Sequence, residues 1–150
     1  MNRKMTTVNI YFSFNGNCLE AFNFYKQAFG GEFSYVGKFN EMPLEQGQKP
    51  LSPDEGNRIM HITLPISAET SLMGSDTGGA WDAPVVAGNN FSVSVNTDKN
   101  AEADRLFAAL SEGGKVTMPM ANTFWGAYFG MFTDKFGINW MVSAEEKMGK

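Results

Sequence analysis

The stretch Val8-Asn9-Ile10-Tyr11-Phe12-Ser13-Phe14-Asn15-Gly16-Asn17, running on through Cys18 to Phe29 and Gly30-Gly31, decides the fold. Val8, Ile10, Phe12 and Phe14 alternate with Asn9, Tyr11 and Ser13, the period of a strand with one apolar face. Asn15-Gly16-Asn17 reads as a turn, with Asn17 as the N-cap of a helix. From Cys18 onward, Leu19, Phe22, Phe24, Tyr25 and Phe29 fall near helical spacing, and Glu20 sits where the helix dipole favours an anion. Gly30-Gly31 stops the helix, because glycine accepts the left-handed conformation just past a helix end.

Outward from that unit, a strand is expected over 32–39. The segment 40–57, with Pro43, Gly47, Pro50, Pro53 and Gly56, reads as a long loop. Strand character returns at Ile59 to Ile66 and Thr70 to Asp76, and the Gly- and Pro-rich 77–88 around Trp81 reads as a linker. The opening pattern then recurs. Asn90-Phe91-Ser92-Val93-Ser94-Val95 alternates with Phe91, Val93 and Val95 on one face. Asn100 to Glu112 is a helix with Ala103, Leu106, Phe107 and Leu110 inward, closed by Gly113-Gly114. Strands follow at 115–118, 127–133 and 138–142. Phe14 answers Val95, Phe24-Tyr25 answers Leu106-Phe107, and the two Gly-Gly pairs answer each other, a repeat of about eighty residues. The expected organisation is one domain over 1–150, made of module 8–76 and module 89–143 joined by linker 77–88.

Composition bounds the class. The chain has 150 residues, 43% of them hydrophobic and 19% charged, which suits a packed globular domain. Its net charge of −4 argues against nucleic acid as a partner, and no apolar run approaches the roughly 20 residues that span a bilayer. The basic start, Met1 to Thr7, leads into the alternating strand instead of a leader's apolar core, so a cytoplasmic location is expected. One Cys and one His exclude a disulfide framework and a zinc knuckle. No glycine-rich nucleotide-cradling loop is present.

The fold class expected is therefore α+β, with paired βαβββ modules forming an incomplete barrel around a cleft. Parity then assigns side chains. Val8, Ile10, Phe12 and Phe14 pack on the first helix while Asn9, Tyr11 and Ser13 face the cleft. Asn90, Ser92 and Ser94 face it from the second module. Met60, Ile62 and Leu64 point to the helix, leaving His61 and Thr63 inward; Ile138, Trp140 and Val142 pack outward, leaving Asn139, Met141 and Ser143 inward. A cleft so lined is polar but uncharged, with adaptable thioether sulfur at its floor.

These residues resemble the vicinal-oxygen-chelate superfamily of glyoxalases, bleomycin-resistance proteins and dioxygenases, and within it the PhnB-like branch. The resemblance lies in Tyr11 to Asn17, Glu20 to Tyr25, Phe29-Gly30-Gly31, Ile59-Met60-His61, Gly113 to Val116, Thr123-Phe124-Trp125-Gly126, Phe129-Gly130 and Thr133 to Gly137. It implies paired βαβββ modules, a homodimer and, in the enzymatic branches, a divalent metal. Carried across, the four ligand positions fall on Asn9, near Met73 (between Leu72 and Gly74), on Asn90 and on Met141. None is a His, Glu or Asp, so no metal or other cofactor is expected there. Such chains are sometimes labelled methyltransferases; this one lacks the glycine-rich strand-to-helix turn that a nucleoside-bearing methyl donor needs.

The candidate ligand contacts are His61, Tyr11, Asn9, Asn90, Ser92, Met141 and Trp125, and no catalytic residue is assigned. His61 has two readings, a hydrogen-bonding contact to ligand or a structural imidazole satisfied by a carbonyl or Asp76. Trp125 with Phe124 forms either an aromatic wall or the join between modules. Cys18, at a helix start, is read as a packing residue, and Asp76 as a cap. Glu145-Glu146-Lys147 reads as a tail. The expected function is binding of a small apolar or aromatic molecule without the usual metal. The alternatives are an enzyme of glyoxalase, isomerase or dioxygenase type using a displaced metal or none, and a dimeric structural module with vestigial clefts.

Overall fold

The computed structural model of the protein describes residues 6–44, 46–77 and 83–145. Met1 to Met5, the linker residues around Trp81, and Glu146 and Lys147 lie outside them. The chain divides into two compact units, Met1–Val85 and Val86–Lys150. Both are α+β with the order β-α-β-β-β, and each carries a four-stranded mixed sheet. Among the described residues no helix is long and apolar enough to cross a membrane.

In the first unit β1 (Ile10–Phe14) leads through α1 (Cys18–Phe29) to β2 (Tyr35–Lys38), β3 (Ile59–Pro65) and β4 (Ser71–Asp76). The sheet order is β1-β4-β3-β2, with β1 parallel to β4 and the other pairs antiparallel. α1 buries Cys18, Ala21, Phe22, Tyr25 and Ala28, one stripe at helical spacing, against Phe12, Phe14, Ile62, Leu64 and Leu72. Leu19 was expected in that stripe, but Cys18 takes the inward position and turns Leu19 outward. Val8, also expected inside, precedes β1 and is exposed.

Two further expectations fail for local reasons. The register steps from Gly37 opposite His61 to Lys38 opposite Ile59, so Met60 is the extra residue of a bulge. Ile59 therefore fills the buried place that strict alternation assigned to Met60. The segment 40–57 is not a bare loop. A 3-10 turn covers Phe39–Glu41, and α2 (Pro53–Asn57) starts in a capping box. The Glu55 amide donates to Ser52 Oγ, and the Ser52 amide donates to Glu55 Oε1, both at 3.2 Å. Ser52-Pro53-Asp54-Glu55 carries that signal openly in the sequence.

The second unit repeats the plan with β5 (Val93–Thr97), α3 (Asn100–Ser111), β6 (Lys115–Asn122), β7 (Tyr128–Thr133) and β8 (Asn139–Ala144), in the order β5-β8-β7-β6. Ala103, Leu106 and Leu110 of α3 are buried with Phe132, Trp140 and Val142, and the Phe107 ring meets Phe132 edge-on at 5.1 Å. β5 starts later than alternation implies. Pairing with β8 begins at Val93 opposite Trp140, while Asn139 Nδ2 donates to the carbonyls of Gly88 and Phe91 just ahead of it. Phe91 is consequently exposed, and Asn90 and Ser92 lie outside the strand. β6 runs to Asn122 through Pro119, which an edge strand with irregular register tolerates.

Candidate functional site

On the first sheet, the face turned away from α1 gathers the polar residues that alternation pointed there. The register sets Tyr11 beside Met73, Met73 beside Thr63, and Thr63 beside Tyr35, one row across all four strands. His61 stands two residues before Thr63 on β3, on the same face and opposite Gly37. Its Nδ1 is 3.0 Å from the Tyr11 hydroxyl and its Nε2 is 2.9 Å from Thr63 Oγ1. The Tyr11 and Tyr35 rings lie 5.5 and 5.8 Å from the imidazole, centre to centre.

Gly37 makes this arrangement possible. A Cβ there would stand 2.6 Å from the Tyr35 hydroxyl, so any larger residue would push that ring off the imidazole. His61 thus has partners on both nitrogens, and neither is a backbone carbonyl nor Asp76.

Asp76 serves another purpose. It is 4% exposed, its Oδ1 accepts the Gly16 and Cys18 amides, and its Oδ2 accepts the Ile59 amide, each at 2.9 Å. It supplies the cap expected of Asn17, whose own side chain makes no capping bond. Burial, and next the Asp76 carboxylate, push the Cys18 thiol far up, so it stays protonated and inert.

The remaining candidates separate. Asn9 Oδ1 accepts the Ser71 amide at 2.9 Å, tying the approach of β1 to β4. Asn90 is exposed in the bend before β5, and Ser92 is half-buried there. Met141 sits half-buried between Ser94 and Met131 of the second sheet. Trp125, 57% exposed in the β6–β7 turn, stacks edge-on with Phe124 at 5.1 Å and Phe129 at 5.9 Å. Tyr35, Gly37 and Met73 were not among the candidate contacts. Alternation on β2 and β4 puts them on the face of Tyr11 and His61, a signal the sequence holds once register is known.

The four positions that resemblance assigns to a metal do not fit one. Asn9 spends its amide oxygen on Ser71, Asn90 stands in a solvent-facing bend, and Met73 and Met141 offer neutral thioethers. A hard divalent cation seeks charged oxygen or imidazole donors, which this set lacks. Among the described residues no three His, Cys, Asp or Glu side chains come together.

Comparison with known proteins agrees with this architecture. The pattern of the Glyoxalase/Bleomycin resistance protein/Dioxygenase superfamily matches residues 7–142. Protein YjdN from Escherichia coli (strain K12) is 30% identical over 135 residues, covering 89% of this chain and 91% of its own. The crystal structure of protein PA1353 from Pseudomonas aeruginosa is 43% identical, with a TM-score of 0.78 over 95% of this chain and 99% of its own. The PhnB protein from Bacillus cereus shares the fold at 21% identity, with a TM-score of 0.69 over 93% of this chain and 99% of its own.

Proposed function

The chain belongs to the Glyoxalase/Bleomycin resistance protein/Dioxygenase superfamily, and from that premise we propose that it binds a small apolar or aromatic molecule without a metal. The observation that carries this reading is the Tyr11–His61–Thr63 hydrogen-bonded chain, set beside the Tyr35 ring and the Met73 thioether. A ligand laid on this row meets aromatic faces and soft sulfur for its apolar body and hydroxyls for its polar atoms. The neutral donor set at the family's ligand positions supports binding without a divalent cation.

A thermal-shift screen of small aromatic and carbonyl compounds, with and without divalent metals, tests the reading. Hits should raise the melting temperature equally in both conditions. His61→Ala should then weaken a hit by about 1–2 kcal/mol, the order of one lost hydrogen bond, with the fold intact. An unchanged affinity accompanied by a lower melting temperature would make His61 structural. Close to one tightly held metal per chain, in protein purified without chelator, would overturn the metal-free reading in favour of a metalloenzyme. The same proposal includes a homodimer. The edge strand β6 exposes Val116 and Met118, and pairing with a second copy is one way to cover such an edge. Light scattering should report twice the 16.5 kDa of one chain.

A further inference from the structure

We infer that Tyr11, His61 and Thr63 form one relay that offers a ligand a hydrogen-bond donor at one end and an acceptor at the other. The ligand class that fits is a flat ring with the complementary pair at its opposite ends, as in a para-hydroxyaryl ketone. The inference deepens the binding reading above and rests on it.

A neutral imidazole has one N–H and one bare nitrogen. With N–H on Nε2, the ring donates to Thr63 Oγ1 and accepts the Tyr11 hydroxyl proton at Nδ1. Thr63 is then left with an outward proton and Tyr11 with outward lone pairs. With N–H on Nδ1 both polarities reverse. In either tautomer one outer hydroxyl directs its proton at the ring and can only accept, while the other keeps a proton to donate, because a single imidazole proton couples them. Among the described residues no carboxylate or cation hydrogen-bonds to the three, so nothing charged pins one tautomer. The neighbours from the other strands include the Tyr35 ring, Gly37, Met73 and, one step along that face, Ser75 and Ser13, none of them charged. The ligand therefore selects the tautomer.

The spacing sets the shape. The Tyr11 and Thr63 hydroxyls bond the two nitrogens of one imidazole at 3.0 and 2.9 Å, so their oxygens stand about 7 Å apart with that ring between them. A flat ring laid over the imidazole, with groups at its two ends, matches that distance, and Met73, in register with both residues, stands on the same face of the sheet.

The chain contains one histidine, so histidine-selective 15N labelling gives the signals of a single imidazole. The probes are 4-hydroxyacetophenone, which has a donor and an acceptor, and 4-methoxyacetophenone, which has two acceptors. The hydroxy compound should bind on the order of ten-fold more tightly, the effect of one mismatched hydrogen bond. Its complex should show the 15N pattern of one neutral tautomer. Tyr11→Phe and Thr63→Val should each erase the preference between the probes, while Thr63→Ser, which keeps the hydroxyl, retains it. Equal affinities for both probes, with imidazole signals unmoved on binding, would overturn the relay and leave the binding reading standing. Failure of every aromatic and carbonyl compound to bind the folded protein would overturn the binding reading itself, and the relay with it.

Discussion

Across the first sheet one register row runs Tyr11, Met73, Thr63, Tyr35; across the second the row through Met141 runs Ser94, Met141, Met131, Met118. A methionine holds the fourth strand in both, flanked by hydroxyls and rings in one unit and largely by thioethers in the other. One topology therefore carries two chemistries, a hydrogen-bonding face and a soft apolar one, since alternation dictates only which side a residue faces. The means of holding the loops differ as well. Asp76 ties the β1–α1 turn and the start of β3 to the end of β4, across up to 60 residues. Asp134 works within its own turn: Oδ1 accepts the Phe136 and Ile138 amides and Oδ2 accepts Trp140 Nε1.

The largest test of this contrast is Asp76→Ala. It strands three amide donors, two of them in deeply buried bonds, and should cost about 3–5 kcal/mol in denaturant unfolding. Asp134→Ala should cost less, about 2–3 kcal/mol, because only one of its three donors, Trp140 Nε1, lies in a buried bond and the two turn amides are partly buried. Equal losses would break the distinction between a long-range clasp and a local one.

The paired glycines sharpen it next. Gly30 and Gly31 have φ near +83° and +82° with nothing within 4 Å of an added Cβ, so only backbone conformation demands glycine there. At Gly114 an added Cβ would overlap the Thr133 carbonyl and stand 2.9 Å from the Asp134 backbone. Gly114→Ala should thus cost about 2–3 kcal/mol, as backbone must move, and Gly31→Ala about 1 kcal/mol. Melting curves of the two variants distinguish strain from overlap.

A pH-dependent effect of similar size follows from Cys18. The unfolded chain loses its thiol proton near pH 8.5, while the folded chain keeps it because burial raises the thiol. The unfolded state is thereby favoured as pH rises past that value, and stability should fall by about 2 kcal/mol between pH 8 and 10. Cys18→Ala should remove that component of the slope, and a thiol reagent should modify Cys18 only at the rate of unfolding. The smallest change is His61→Ala, under about 1 kcal/mol in stability, since its partners regain water. A larger loss would move the imidazole from the binding face to the scaffold.

Much of the fold was legible in the sequence. Strict alternation in Ile10 to Phe14 and helical spacing from Cys18 to Phe29 are local signals, and both elements form where those signals lie. The misses are instructive. Ser52-Pro53-Asp54-Glu55 is a local helix-start signal, masked by the surrounding prolines and glycines, which equally mark a loop. Met60 and Ile59 exchanged places because a bulge belongs to a pair of strands, and no single strand reveals it. Of the candidate contacts, the structure brings Tyr11 and His61 together, leaves Asn9 engaged with Ser71, and puts Asn90 and Ser92 ahead of their strand.

The sequence by itself determined the order of the strands and of the two long helices, the duplicated plan, the superfamily, and the absence of acidic or imidazole side chains at the positions that the resemblance assigns to a metal. It pointed Tyr11, His61 and Thr63 to one side, because period two is a property of the chain alone. Only the tertiary structure decided that Tyr11 reaches His61 across 50 residues, that Tyr35 lies over Gly37, and that Asp76, not Asn17, caps α1. Those facts depend on strand order and register, which are set by the packing of whole faces against helices, and no local pattern of residues encodes which strand will lie beside which.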